Sequence, residues 1–228
     1  MTPKPAIVRI IWTITVLLML IGVAIVLRRS FALFAPSPAS SNFPEAATMD
    51  AGFAGHRLLT MLHITPGLLF ILLAPLQFVR RLRNRNPKLH RWIGRVVLVS
   101  GLIIGSSALV MSPQMAIGGP NETAATMLFA IVFLFSLSKA YLHIRSGRVS
   151  QHREWMIRAF AVGFAVATIR PIVGVFFATS RLTHLTPRDF FGTAFWLGFT
   201  IQLMVAEIWI NYTRKPSAVV RPQDSMLS

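Results

Sequence analysis

The feature that most constrains this chain is a series of six apolar blocks, each about as long as a membrane-spanning helix. A helix rises ~1.5 Å per residue, so about twenty apolar residues cross a hydrocarbon core of ~30 Å. The blocks lie at Ile7–Leu27, Leu58–Val79, Trp92–Met111, Thr123–His143, Trp155–Thr179 and Phe191–Tyr212. Six such helices leave no room for a separate soluble domain in 228 residues. The sequence therefore predicts an all-α integral membrane protein, a six-helix bundle.

Composition supports a membrane protein and limits its chemistry. Hydrophobic residues make up 54% of the chain and charged residues 13%, about half the charged share of a soluble domain. A net charge of +16 would suit a nucleic-acid partner, but the cations are concentrated in particular loops between apolar blocks, so we expect no nucleic acid. The chain has no cysteine, which excludes disulfides, thiolate metal sites and haem attached through cysteine.

The distribution of lysine and arginine predicts the orientation in the membrane. With the N-terminus inside, 17 of these cations fall on the cytoplasmic side and 5 outside, while Arg170 lies within a helix. An excess of cations in short loops marks the cytoplasmic side. We therefore expect a multi-pass protein of the inner membrane, with both termini cytoplasmic and its basic loops facing anionic lipid headgroups.

The same reasoning divides the chain into four parts. Residues 1–29 form an N-terminal transmembrane helix, which is longer than the apolar part of a signal peptide and is expected to stay uncleaved. Residues 30–55 form an irregular outer loop, 56–213 a five-helix core, and 214–228 a disordered cytoplasmic tail. Gly118-Gly119-Pro120 predicts a turn between the third and fourth helices.

Two similar motifs begin the third and fifth helices. "LHRWIGR" contains His90 and "QHREWMIR" contains His152, and each follows a basic loop that ends an outside-to-inside helix. Helices 2–3 and 4–5 therefore suggest two parallel repeated hairpins. At helical spacing, His90 shares a face with Gly94, Gly101 and Gly105, and His152 shares one with Ala159 and Gly163. Small residues favour close packing, or a flat cofactor beside the backbone, so both histidines should face protein.

These histidines define a candidate site near the cytoplasmic face. It contains His90, His143, His152 and Glu207, surrounded by Arg91, Lys139, Arg153 and Arg158. One hypothesis is a b-type haem with His90 and His152 as axial ligands, His143 as the substitute for either, and arginines on the propionates. A second is a non-haem metal held by the three histidines and Glu207. A third is that each His-Arg-Trp group anchors its helix at the headgroup level.

A different site is expected deeper in the bundle. His63 and Arg170 lie at one level in the outer half of the bilayer, where a charged residue needs a partner or a water-filled cavity. Glu207 likewise needs a cationic or hydrogen-bonding partner, and it is interpreted as the sole acidic residue inside the predicted helices. His63, Arg170, Gln77 and Glu207 would then serve a small transporter or a lipid- or quinone-binding protein, or His63 and Arg170 would form a structural pair.

The motifs resemble a known family. "PLQF", "LHRWIGR" and "HREWMIR", with Gly118-Gly119, are similar to those of bacterial membrane proteins catalogued as domain of unknown function 2306. The resemblance implies a multi-pass membrane protein without an assigned activity. The residues that match its pattern are Gln77, His90, Arg91, Gly94, Arg95, His152, Arg153, Trp155, Arg158 and Arg170.

A looser resemblance is to cytochrome b561-like and ferric-reductase-like haem bundles. Those use two well-separated pairs of histidines, and an outer pair is missing here, so the resemblance implies a single inner haem at most. Three functions remain open: haem-dependent electron transfer with a redox partner or quinone, small-molecule transport or binding, and a structural subunit without chemistry.

Overall fold

The computed structural model describes residues 5–35 and 51–214. Within these ranges the chain is almost entirely helical and contains no strand. The six long helices are α1 Pro5–Phe34, α2 Arg57–Leu73, α3 Pro87–Met115, α4 Gly119–Arg145, α5 Val149–Thr183 and α6 Pro187–Thr213. By length and composition all six can cross a membrane, counting α2 together with the turn that continues it to Phe78. The predicted all-α membrane bundle is confirmed.

The connections show why the helices begin and end where they do. A 3₁₀ turn, Pro75–Phe78, follows α2, and a short helix, Arg80–Arg85, leads to Pro87 at the start of α3. Proline fits the first turn of a helix because it lacks only an N–H that would be unpaired there. Gly119 (φ 61°), the first residue of α4, and Gly147 (φ 70°), just before α5, adopt left-handed backbone, which glycine tolerates without strain. The predicted turn at Gly118-Gly119-Pro120 is present.

We call the two ends of the bundle the basic end and the far end. The α2–α3 and α4–α5 connections and the end of α6 lie at the basic end. The α3–α4 and α5–α6 connections lie at the far end. The α2–α3 and α4–α5 pairs are the two predicted hairpins, since consecutive helices in each pair pack together.

The core lies around α5, which packs against α1, α4 and α6. Phe70 of α2 is 1% exposed and lies between the glycine faces of two other helices. A Cβ built on Gly163 of α5 would be 2.5 Å from its Cε1 atom, and one on Gly101 of α3 would be 3.4 Å from Cε2. Phe70 also meets Phe133 of α4 edge to face, with ring centroids 5.5 Å apart. Small residues therefore let one phenylalanine join four helices.

The structure changes three predicted boundaries. Helix α1 continues to Phe34 and residues 51–55 are helical, so the outer loop predicted for 30–55 is shorter at both ends; residues 36–50 lie outside the described part. The predicted tail beyond Arg214 also lies outside it. Helix α4 begins at Gly119, which places Glu122 in its first turn. The interpretation of Glu207 as the sole acidic residue within the helices is therefore wrong.

Candidate functional site

Three histidines from three helices lie at the basic end. His90 lies in the first turn of α3, His143 in the last turn of α4 and His152 in the first turn of α5. His152 interacts electrostatically with both of the others. The motif spacing predicted that these histidines lie at one end of the bundle. We call these three residues the histidine cluster.

Hydrogen bonding differs among the three imidazoles. Nδ1 of His152 donates to the carbonyl oxygen of Ala140 at 2.8 Å, which assigns the proton to Nδ1 and leaves the Nε2 lone pair free. Nδ1 of His90 and Nδ1 of His143 are buried and have no hydrogen-bond partner among the described residues. A ring nitrogen held by a backbone carbonyl, with the other nitrogen free, is typical of histidines that ligate metals.

The charges around the histidine cluster are positive. Arg83 of the short helix interacts electrostatically with His90, and Arg148 and Lys139 interact with His143. Arg83 and Arg148 were not part of the predicted ring. Arg91, which belonged to the predicted ring, lies on the outer face of α3 and is exposed. These cations favour an anionic ligand and disfavour a bare divalent metal ion.

Glu207 does not join the histidines. Arg158 donates to both of its carboxylate oxygens, from Nε at 2.5 Å and from Nη2 at 2.9 Å, and lies over the ring of Trp155 at 4.6 Å. The expected cationic partner of Glu207 is confirmed. The metal site of three histidines and Glu207 is wrong, since no group of three histidine or acidic residues in the described ranges is arranged to hold a metal ion.

Arg153 also has a structural contact. Its Nη2 donates to Oγ1 of Thr213 in α6 at 2.9 Å. Glu154, the next residue, accepts two hydrogen bonds from Arg214 at 3.0 and 3.1 Å. Together with the Arg158 pair, these contacts tie the start of α5 to the end of α6. Two of the three arginines predicted to hold propionates, Arg153 and Arg158, thus have partners on α6.

The glycine faces are occupied by side chains of neighbouring helices. A Cβ on Gly101 would be 2.6 Å from Leu137, and one on Gly105 would be 2.6 Å from Leu134. Phe70 fills the corresponding space beside Gly163. At these three levels the small residues serve helix packing, and the idea that they leave room for a flat cofactor is wrong. A ring bound by the histidines would have to lie nearer the rim of the basic end.

Gln77 lies between α2 and α3 at this end. Its Oε1 would be 3.2 Å from a Cβ on Gly94, one helical turn beyond His90. Its Nε2 is buried and has no hydrogen-bond partner in the described ranges. The structure therefore places Gln77 beside the basic-end residues and away from His63 and Arg170, with which the sequence grouped it.

His63 and Arg170 do not form the pair that sequence reasoning considered. Nδ1 of His63 is 2.9 Å from Oγ of Ser107, so this histidine joins α2 to α3. Arg170 interacts electrostatically with Glu122 of α4 and Arg28 of α1. Its Nε is buried without a hydrogen-bond partner in the described part of the chain.

Glu122 is the residue that sequence reasoning missed. It is 7% exposed, and its Oε2 accepts a hydrogen bond of 2.6 Å from the backbone N–H of Gly118. The signal was available, because an acidic side chain in the first turn of a helix compensates unpaired N–H groups and the positive end of the dipole. Glu122 lies two residues after the Gly-Gly-Pro turn, and only the late predicted start of α4 concealed it.

Comparison with known proteins agrees with this description. The family model for a predicted membrane protein, DUF2306, matches residues 60–210. No curated protein and no solved structure matches the chain significantly. The match covers α2 to α6 almost completely, including both histidine motifs and the Gly-Gly-Pro turn. The chain therefore belongs to the DUF2306 family of predicted multi-pass membrane proteins.

Proposed function

We propose that this membrane protein binds b-type haem at its basic end, for electron transfer, with His90 and His152 as axial ligands. The observation that carries the proposal is that imidazoles from three helices lie at one end of the bundle, where Nδ1 of His152 donates to the Ala140 carbonyl. Haem iron takes neutral imidazole nitrogens from opposite sides, so two histidines on different helices suit it.

The surrounding residues suit the rest of the ligand. Haem propionates are anionic, and Arg83, Lys139 and Arg148 supply positive charge beside the histidines. The buried Nδ1 of His90 is an unsatisfied group that a carboxylate or a water at the site would pair. Bound haem supplies a one-electron couple. The protein residues hold its iron, compensate its carboxylates and keep His152 in a fixed tautomer.

Haem stoichiometry after expression with haem available tests the proposal. We expect about one haem per wild-type chain, because one pair of axial ligands holds one iron. His90→Ala or His152→Ala should remove most of it. His184→Ala is the matched control, since this histidine is exposed at the far end. Haem retained by both cluster variants would contradict the proposal.

His143 needs its own variant because it lies in the same cluster. His143→Ala should keep haem if the ligands are His90 and His152. Loss of haem in this variant, with retention in His90→Ala, would transfer the ligand role to His143. Arg158→Gln should keep haem as well, since Arg158 is already paired with Glu207.

We also propose the sidedness of the site. The basic end carries the connections rich in arginine and lysine, and such loops remain on the cytoplasmic side of inner membranes. The histidine cluster would then face the cytoplasm, where a soluble redox partner or a quinone at the inner leaflet can reach it.

A second candidate function is binding of a small polar ligand at the far end. It is favoured by Arg170, whose buried Nε has no hydrogen-bond partner in the described residues although the guanidinium interacts with Glu122. A quinone carbonyl or a carboxylate would accept from that Nε. Arg170→Lys should weaken binding of a ubiquinone analogue while leaving haem stoichiometry unchanged, whereas equal binding in both proteins would exclude this candidate.

A further inference from the structure

Two arginines of the short helix Arg80–Arg85 lie within electrostatic range of an arginine of α5 at the basic end. Arg153 of α5 interacts electrostatically with Arg80 and Arg83 of the short helix. We call these three residues the arginine cluster. The contact between Phe78 and Phe160, with ring centroids 5.2 Å apart, fixes this arrangement. Phe160 is two helical turns from Arg153 on the same face of α5, so the chain segment after Phe78 is held against that face.

Among the residues that the structure describes, no carboxylate forms an ion pair with the arginine cluster. Glu154 interacts electrostatically with Arg153, but both of its carboxylate oxygens accept hydrogen bonds from Arg214. Neither Arg80 nor Arg83 forms an ion pair with any residue in the described ranges, and both are exposed. Gathering like charges is unfavourable unless an anion compensates them.

The neighbouring uncharged groups are hydrogen-bond donors as well. Gln77 precedes Arg80 by three residues, and its buried Nε2 can only donate. Its Oε1 is turned to the backbone of α3 at Gly94, which fixes the direction of the amide. The Gln77 donor and the arginines therefore lie at the same end of the bundle, where the Thr213 hydroxyl accepts from Arg153 and the exposed Arg80 and Arg83 have no ion-pair partner among the described residues. This is the composition of an oxyanion site.

We propose that the arginine cluster and the Gln77 amide bind the phosphate group of an anionic phospholipid. Arginine pairs with phosphate through two parallel N–H···O bonds, and three guanidinium groups suit a phosphate monoester. A lipid is favoured over a soluble phosphate because the cluster lies at the ends of spanning helices, where exposed Trp92 (62%) marks the headgroup level. Basic pockets between helices at this depth bind lipid headgroups.

The test is a thermal-unfolding titration of the full chain, purified in a neutral detergent, with phosphatidate. Phosphatidate should raise the unfolding temperature of the wild type, and phosphatidylcholine should not. Arg83→Gln should weaken the apparent affinity for phosphatidate about tenfold, since it removes charge-assisted hydrogen bonds. Arg85→Gln is the matched control, because Arg85 lies on the same short helix but does not contribute to the cluster. A wild-type response in Arg83→Gln, or an equal loss in Arg85→Gln, would overturn the proposal.

Two further titrations test whether the site prefers a lipid phosphate to free phosphate, and whether the lipid response depends on the haem site. Inorganic phosphate at equal concentration should give no comparable stabilisation; a response that matches phosphatidate would overturn the assignment to a lipid. His152→Ala, which removes an axial ligand, should titrate with phosphatidate like the wild type. Loss of the lipid response in that variant would show that the lipid acts through the haem site, and would overturn a separate phosphate site.

Discussion

At the scale of single residues, unpaired polar atoms are concentrated at the basic end. Nδ1 of His90, Nδ1 of His143 and Nε2 of Gln77 are buried there without hydrogen-bond partners among the described residues. An unpaired buried amide donor such as Nε2 of Gln77 costs about 1–3 kcal/mol relative to a paired one. Elsewhere in the described helices, Nε of Arg170 is the one other buried side-chain atom without a hydrogen-bond partner. This grouping is what a ligand site requires, because bound groups would supply the missing partners.

Glu122 provides a prediction at the same scale. Glu122→Ala should reduce the free energy of unfolding by about 1–2 kcal/mol, because the Gly118 N–H loses its acceptor in a buried place. Glu122→Gln keeps a carbonyl oxygen and should lose less. Chemical denaturation of both variants in detergent measures the difference. Equal stability of Glu122→Ala and the wild type would show that this hydrogen bond contributes nothing.

Sequence reasoning located residues along the helices better than it paired them. The depth of His90 and His152 follows from their position at helix starts, so their location at the same end of the bundle was predictable. The partners of Arg158 and His63 were not, because a small rotation of a helix about its axis decides which neighbour a long side chain meets. The structure was therefore needed to identify Glu207 as the partner of Arg158 and Ser107 as the partner of His63.

At the scale of elements, α5 determines how the bundle packs. It lies against α1, α4 and α6, and Gly163 admits Phe70 of α2. Helices in lipid gain little from the hydrophobic effect, so close contact through small residues provides much of their association. The glycine faces predicted from sequence are thus real, but their role is contact with other helices.

Two glycines of the same helix test this role. Gly163→Ala should destabilise the protein by about 1–3 kcal/mol, because the new methyl group would overlap the buried Phe70 ring. Gly174→Ala is the matched control, since a Cβ there meets no atom within 4 Å. Thermal unfolding in detergent compares the two. Comparable unfolding temperatures for both variants would contradict the packing around Phe70.

The number of helices could be predicted from the sequence, but the residues at which they begin and end were predicted less well. Apolar length identifies the part of a helix that crosses hydrocarbon, but α3, α4 and α5 continue past it into polar residues. The first turn of α4 was read as loop for this reason, and the apolar block of α5 begins only at Trp155, after its polar first turns. Those polar turns carry Glu122, His152 and Arg153, so the candidate sites lie where apolar periodicity gives the least information.

At the scale of the whole molecule, charge is distributed asymmetrically between the ends. The basic end carries the arginine cluster and the cations around the histidines. Both proposed anionic ligands, haem propionates and lipid phosphate, would bind at this same end. Orientation therefore decides which compartment the candidate sites face.

Single cysteines can establish this orientation, because the chain contains none of its own. Ser146→Cys, exposed at the basic end, should react with a membrane-impermeant maleimide only after spheroplasts are permeabilised. Thr183→Cys, exposed at the far end, should react in intact spheroplasts. The reverse pattern would place the basic end outside and would contradict the proposed sidedness.

The central claim is that His90 and His152 hold one haem, and the visible absorption spectrum of the purified, reduced protein tests it most directly. Two imidazole ligands predict a low-spin, six-coordinate spectrum in the wild type. His90→Met should keep haem with a shifted spectrum and a higher reduction potential, because methionine can replace an axial histidine. A protein without a Soret band after expression with haem available, or a spectrum unchanged by His90→Met and by His152→Met, would contradict the account.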